Sequence, residues 1–270
     1  MLIRIVHHLS SSGGTVISKC LASMPGTVLL SEVHPLVAQR VDFFPIDPLG
    51  QLVWNYPDLA PADEVLCDQF RLRLKPVIDR CSELGRTLIL RDHSHSDYLT
   101  ARQPQGRLVA ALQPVYPLRR MWTIRDPLDA WLSMRASQFD GHLQGFDDYC
   151  RRVLKFVRDH EDIPSWRYED FVADPGKVLA EICDYLDIAF DADFEQRWRN
   201  IVLTGDSGRK PEKIAPLPSR EMPADLLNAA SASRDYQEIA EKFGYSRGLG
   251  EKTARAKWSA TRFINQRWKS

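Results

Sequence analysis

Short β-branched runs alternate along this chain with longer segments whose apolar residues recur at helical spacing. Ile3, Ile5 and Val6 form the first such run, too brief for periodicity alone to separate strand from helix. Residues 7–14 follow with three consecutive serines and two glycines, a composition that resists regular structure. From Thr15 onward Val16, Ile17, Cys20, Leu21 and Met24 fall at helical spacing, and Pro25 ends the run. The pattern predicts further strands at 27–30, 87–90, 116–124 and 166–168. Helices are predicted over 62–84, 127–136, 146–159, 175–186 and 224–243. The 62–84 helix carries a stripe of Val65, Leu66, Phe70, Leu74, Val77, Ile78 and Cys81, with Gly85 as its stop. Asp126 with Pro127, and Asp174 with Pro175, supply helix starts.

Three stretches break the pattern. Residues 35–61 interleave Pro45, Pro48, Gly50, Pro57 and Pro61 with Phe43, Phe44, Trp54 and Tyr56. That texture predicts an irregular segment, either a lid or substrate wall or a packed structural loop. Residues 204–218 form a polar loop rich in Gly and Pro that holds Ser207, Gly208, Arg209, Lys210 and Lys213. Residues 248–270 carry basic and aromatic side chains against a single acid, Glu251, the composition of an accessory helix or of a tail touching an anionic surface.

Composition narrows the class. The chain has 270 residues, 44% apolar and 27% charged, which is ordinary for a soluble protein with a substantial core. Its 36 basic side chains balance 36 acidic ones, so no global charge favours nucleic acid. No apolar run approaches membrane-spanning length, and the first strand begins too early to leave room for a signal peptide. Five scattered cysteines without a CxxC pair point to reduced thiols and a cytoplasmic protein.

Candidate chemistry gathers where strands end, as ligands do in open α/β sheets. A glycine-rich turn between strand and helix aims backbone N–H groups and the positive helix end at one spot, which favours phosphate or sulfate over a plain connection. Ser31, Glu32, Val33 and His34 follow the second strand. Arg91, Asp92, His93, Ser94, His95, Ser96 and Asp97 follow the third. HxH without further clustered ligands is a weak zinc pattern, so proton transfer and anion contact are the economical reading and no metal site is expected. Arg125 ends the fourth strand.

Together these pieces resemble the sulfotransferases that use 3′-phosphoadenosine 5′-phosphosulfate (PAPS), in the manner of a divergent, bacterial-like member. Ser12-Gly13-Gly14-Thr15 with the helix ending at Pro25 is similar to the family's 5′-phosphosulfate loop. Ile124-Arg125-Asp126-Pro127 with Ser133 resembles its 3′-phosphate motif. Tyr168-Glu169-Asp170-Phe171 and Ser207-Gly208-Arg209 resemble two later family segments, and all four lie in family order. The resemblance implies a P-loop-type α/β domain over residues 1–247, with a central parallel sheet flanked by helices. It implies PAPS as co-substrate, no required metal, and a hydroxyl or amine acceptor that the sequence leaves unidentified. Ser11, Ser12, Gly13, Gly14, Thr15 and Val16 would hold the 5′ end of the nucleotide. Arg125, Ser133, Ser207, Gly208 and Arg209 would hold the 3′-phosphate, with Tyr168 near the adenine.

One position departs from the family: Ser11 stands where a basic residue usually precedes Ser-Gly. Losing a contact to the leaving group can cost a few kcal/mol of transition-state stabilisation. Arg91, His7 and His8 are the available replacements. For the base, His93 is preferred because its reference pKa is near neutral, with Glu32 and His95 as rivals. Two other readings stand beside transfer. One is a PAPS-binding scaffold without activity, and the other is an ATP-dependent kinase using Asp92, against which the loop lacks a Gly-Lys-Ser/Thr ending.

Overall fold

The computed structural model describes residues 1–36, 48–100, 106–206, 212–216 and 222–245. Its strands are β1 (Ile3–His7), β2 (Thr27–Val33), β3 (Thr87–Asp92), β4 (Leu118–Ile124) and β5 (Ser165–Arg167). They pair in parallel in the order β2-β3-β1-β4-β5, with Ile5 opposite Leu90 on one side and Val6 opposite Met121 on the other. The chain leaves β1 toward one edge of the sheet and later returns to its other side. The crevice beyond the carboxyl end of β1 is therefore the topological switch point, where ligands gather in such sheets.

The central strands are apolar on both faces because helices cover both. Ile3, Ile5, Leu88 and Leu90 pack with Leu74 and Ile78 of α3 (Asp63–Glu83) and Leu108 and Leu112 of α5 (Arg107–Leu112). Val6, Ile89 and Met121 point the other way. They join Ile17, Cys20 and Leu21 of α1 (Gly14–Ala22) and Leu179 and Ile182 of α9 (Pro175–Leu186). A further cluster sets Trp122 against Leu128 of α6 (Pro127–Ala136), Phe156 of α7 (Phe146–Asp159), and Tyr236 and Phe243 of α12 (Arg234–Phe243).

Local signals place most boundaries. Asp126 accepts the Leu128 N–H at 3.0 Å with Pro127 opening α6, and Asp174 accepts the Lys177 N–H at 3.1 Å at the start of α9. Gly85 ends α3 in a left-handed conformation, φ 60°, that returns the Arg86 N–H to the Cys81 carbonyl.

Several expectations change. β2 and β3 extend through Ser31–Val33 and Arg91–Asp92, so residues expected beyond the strands lie within them. Residues 48–59 are not irregular but form α2 (Pro48–Asn55) and a 3₁₀ turn, Pro57–Leu59, while 37–47, with Phe43 and Phe44, lie outside the described residues. The 224–243 helix is two, α11 (Ala224–Ala232) and α12. Ser233 breaks it, its hydroxyl capping the Tyr236 N–H and donating to Asp147. Val65 is 47% exposed, off the buried stripe. The pattern gave no sign of α4 (Ser94–Tyr98), α5, α8 (Tyr168–Ala173) or α10 (Phe194–Arg197).

Candidate active site

The turn after β1 is shaped by close approach. Gly13 has φ 83°, and a Cβ there would lie 2.1 Å from the Tyr168 ring. A Cβ on Gly14 would lie 2.3 Å from the ring of His8. Glycine at both positions lets the backbone settle between two aromatic rings and start α1 at Gly14. The first N–H groups of a helix lack a partner one turn back, which leaves those of Gly14 and Thr15 for the crevice, while the Val16 N–H donates to the Gly13 carbonyl at 3.2 Å. Ser12 does not serve as expected, because its N–H and its hydroxyl both donate to the Leu9 carbonyl, at 3.3 and 2.7 Å. It holds the turn's shape. Ser11 sits at φ 62°, and its carbonyl accepts a bond from Arg125 Nη1 at 3.2 Å.

Arg125 also lies over the Tyr168 ring, 5.0 Å from its centroid. Ser11, Gly13, Arg125 and Tyr168, far apart in sequence, thus form one rim of the turn. Ser133 is buried on α6. Ser207, Gly208 and Arg209 lie outside the described residues, as does the 246–270 tail.

The other rim is built by β2 and β3. β2 carries one extra residue between Leu30 and Val33 where it pairs with Leu90 and Asp92, and Glu32 takes φ 59° within that bulge. The bulge turns the Glu32 side chain toward Arg91. Arg91 Nη2 lies 2.8 Å from Glu32 Oε1 and donates to Thr15 Oγ1 at 3.2 Å, while Nη1 donates to Ser31 Oγ at 3.0 Å. One guanidinium thereby joins the start of α1, the end of β2 and a carboxylate. Of the candidates for the missing loop cation, only Arg91 reaches the loop as a charge. Burial holds His8 neutral between Thr123 and Ser18. His7 is buried against Asp92, 2.9 Å away.

Glu32 Oε2 lies 3.1 Å from His93 Nε2, and Ser96 Oγ lies 2.5 Å from His93 Nδ1. Both ring nitrogens are thus engaged, Nδ1 by the serine hydroxyl and Nε2 by the carboxylate, and the tautomer sets which partner donates in each. Burial pushes the Glu32 carboxyl up to about 7, against the pull of Arg91. Burial also lowers His93 to about 2 and His95 to about 4. The sequence preference for His93 as base therefore meets a geometry in which both its ring nitrogens already have partners, Ser96 and Glu32. Glu32 is the group poised near neutral pH.

Lys19, Gly205 and Asp206, which the sequence did not single out, complete the enclosure together with Ser31. Lys19, on the buried face of α1, pairs with Asp206, and Ser31 Oγ donates to the Thr204 carbonyl at 2.8 Å. Between them Gly205, φ 76°, lies against Glu32 so closely that a Cβ would sit 2.5 Å from Oε1. A lysine among Ile17, Cys20 and Leu21 was the available signal, since a buried lysine requires an acid partner.

No protein-family model matches the chain, and no curated protein does either. Among solved structures it is similar to the sulfotransferase domain from the curacin biosynthetic pathway, at 16% identity over 90% of this chain and 98% of that one, TM-score 0.54. It is also similar to the sulfotransferase domain from the Synechococcus PCC 7002 olefin synthase, at 19% identity over 89% and 94%, TM-score 0.51. The chain has a sulfotransferase-type fold. In that fold the turn at Gly13 and Gly14, Arg125, Arg91 and Glu32 line the crevice at the end of β1. No helix among the described residues is long and apolar enough to cross a membrane.

Proposed function

We propose that this chain moves a sulfuryl group from PAPS to a hydroxyl or amine acceptor, with residues 1–247 as the catalytic unit. The observation that carries the reading is Arg91 bridging Thr15 of the anion turn and Glu32. Sulfuryl transfer is an in-line displacement helped mainly by positioning and by charge stabilisation. A cation beside the turn meets negative charge growing on the leaving phosphate, the role left open by Ser11. A carboxylate beside the cation takes the acceptor proton as the new O–S or N–S bond forms. The N–H groups of Gly14 and Thr15 face the 5′-phosphosulfate, and Arg125 with Ser133 faces the 3′-phosphate.

His93 acts in this scheme as a positioning residue that donates to Glu32 Oε2 and fixes its orientation. The kinase alternative needs Asp92 open to magnesium. Asp92 is instead buried, with Oδ2 accepting from Ser94 at 2.7 Å and facing His7.

Calorimetric titration with adenosine 3′,5′-bisphosphate in chelator, followed by label transfer from sulfur-35 PAPS into acceptor pools, tests the reading. Metal-free binding and a labelled acceptor are expected. Binding of ATP with magnesium, and none of the bisphosphate, would overturn it.

A further inference from the structure

The weak HxH motif after β3 gains a third member from β2. Glu32 Oε2, His93 Nε2 and His95 Nδ1 lie within 4.8 Å of one another, the one such three-ligand group among the described residues. Oε2 is 3.1 Å from the His93 nitrogen and 4.0 Å from that of His95. A tetrahedral zinc ion with bonds near 2.1 Å sets its ligand atoms about 3.4 Å apart, and the two separations bracket that spacing.

The outer contacts of a metal site are in place. Arg91 occupies Oε1 and leaves Oε2 facing the imidazoles. With zinc on Nε2, the His93 ring proton sits on Nδ1 and is donated to Ser96 Oγ, 2.5 Å away. Such contacts orient ligands and tune their affinity. The His95 side chain is 32% exposed, which gives water access to a fourth position. Two neutral imidazoles and one carboxylate with an open position suit zinc. The Arg91 charge beside the carboxylate weakens the hold on a dication, so exchange is expected rather than permanent retention.

We propose that Glu32, His93 and His95 form a reversible zinc site that silences the enzyme when filled. The silencing rests on the sulfuryl-transfer reading, because zinc would occupy the oxygen that otherwise receives the acceptor's proton. Binding itself does not depend on that reading.

Cobalt(II) is the probe, added to the full chain freed of metal. One cobalt per chain is expected, with the visible absorption of a four-coordinate nitrogen and oxygen site, displaced by one equivalent of zinc. His95→Gln should weaken cobalt binding at least tenfold, and Ser96→Ala by about 10–100-fold. Lack of stoichiometric uptake by the wild-type chain, uptake unchanged in His95→Gln, or a thiolate charge-transfer band would each overturn the site. Transfer is assayed separately in chelator. Cobalt uptake without any transfer keeps the site and removes the transferase reading, while transfer without cobalt uptake does the reverse.

Discussion

Arg91 Nη2 and Glu32 Oε1 meet at 2.8 Å, with both side chains more than nine-tenths shielded from water. A buried pair of this kind adds little against an apolar replacement of both members, but removing one leaves the other charge uncompensated. Glu32→Ala is therefore expected to lower stability by about 3–5 kcal/mol, read from urea melts. A change of under about 1 kcal/mol would show that water already reaches the pair.

Glu32→Gln keeps the shape and removes the proposed base. Turnover should fall by about 10²-fold or more while adenosine 3′,5′-bisphosphate still binds. In the unaltered protein the rate should rise with pH around 7, as the carboxyl raised by burial ionises. That limb should vanish in Glu32→Gln. His93→Ala should shift the limb and lower the rate, whereas an intact limb with no loss of rate would remove His93 from the positioning role.

Gly13→Ala places a methyl 2.1 Å from the Tyr168 ring at φ 83°. Neither the ring nor the turn can give way without disturbing the other, because Arg125 lies over the same ring. The bisphosphate should bind at least tenfold more weakly in calorimetry, with the sheet's circular dichroism unchanged. Unchanged affinity would place the nucleotide elsewhere.

Arg125→Ala removes a charge-assisted contact expected at the 3′-phosphate, typically stronger than a neutral hydrogen bond. Affinity for adenosine 3′,5′-bisphosphate should drop far more than affinity for adenosine 5′-monophosphate. Equal losses for both would assign Arg125 to shaping the Ser11 turn alone.

Acid should unfold this protein early. Burial lowers His160 to about 3 and holds His8 well below its ordinary value, so protons prefer the unfolded chain. Stability attributable to these rings is complete above pH 6.5 and is lost as pH falls below it. At pH 5 each fully buried ring contributes about 2 kcal/mol of loss. Glu32 opposes this, since its raised carboxyl keeps a proton that the unfolded chain has released between about pH 4.5 and 7. Urea midpoints measured from pH 7.5 to 5 should fall, and more gently in His160→Phe if that ring is a principal source.

Features encoded within a few residues were legible. Asp126-Pro127, Asp174-Pro175 and Gly85 each mark a boundary by their own backbone chemistry, and the glycine pair at 13 and 14 marks the tight turn into α1. What stayed hidden depends on contacts across the fold. Thr15, Glu32 and Arg91 meet only because β3 pairs with both β1 and β2. The bulge that turns Glu32 inward has no local signature beyond an acid after an apolar run. Histidine looked the better base because its reference pKa is near neutral, yet enclosure moved the carboxyl toward 7 and the imidazole away from it. Short helices such as α4 and α8 carry too few turns for a period to register.

The turn at Gly205 gives the Glu32 carboxylate a roof made of main chain, riveted on one side to Ser31 and on the other to Lys19 of α1. Any movement that lifts this cover wets the acid, returns it to ordinary vinegar-like strength, and dulls its appetite for protons. If Glu32 is the base of the proposed transfer, its hold on a proton near neutral pH depends on this cover staying in place.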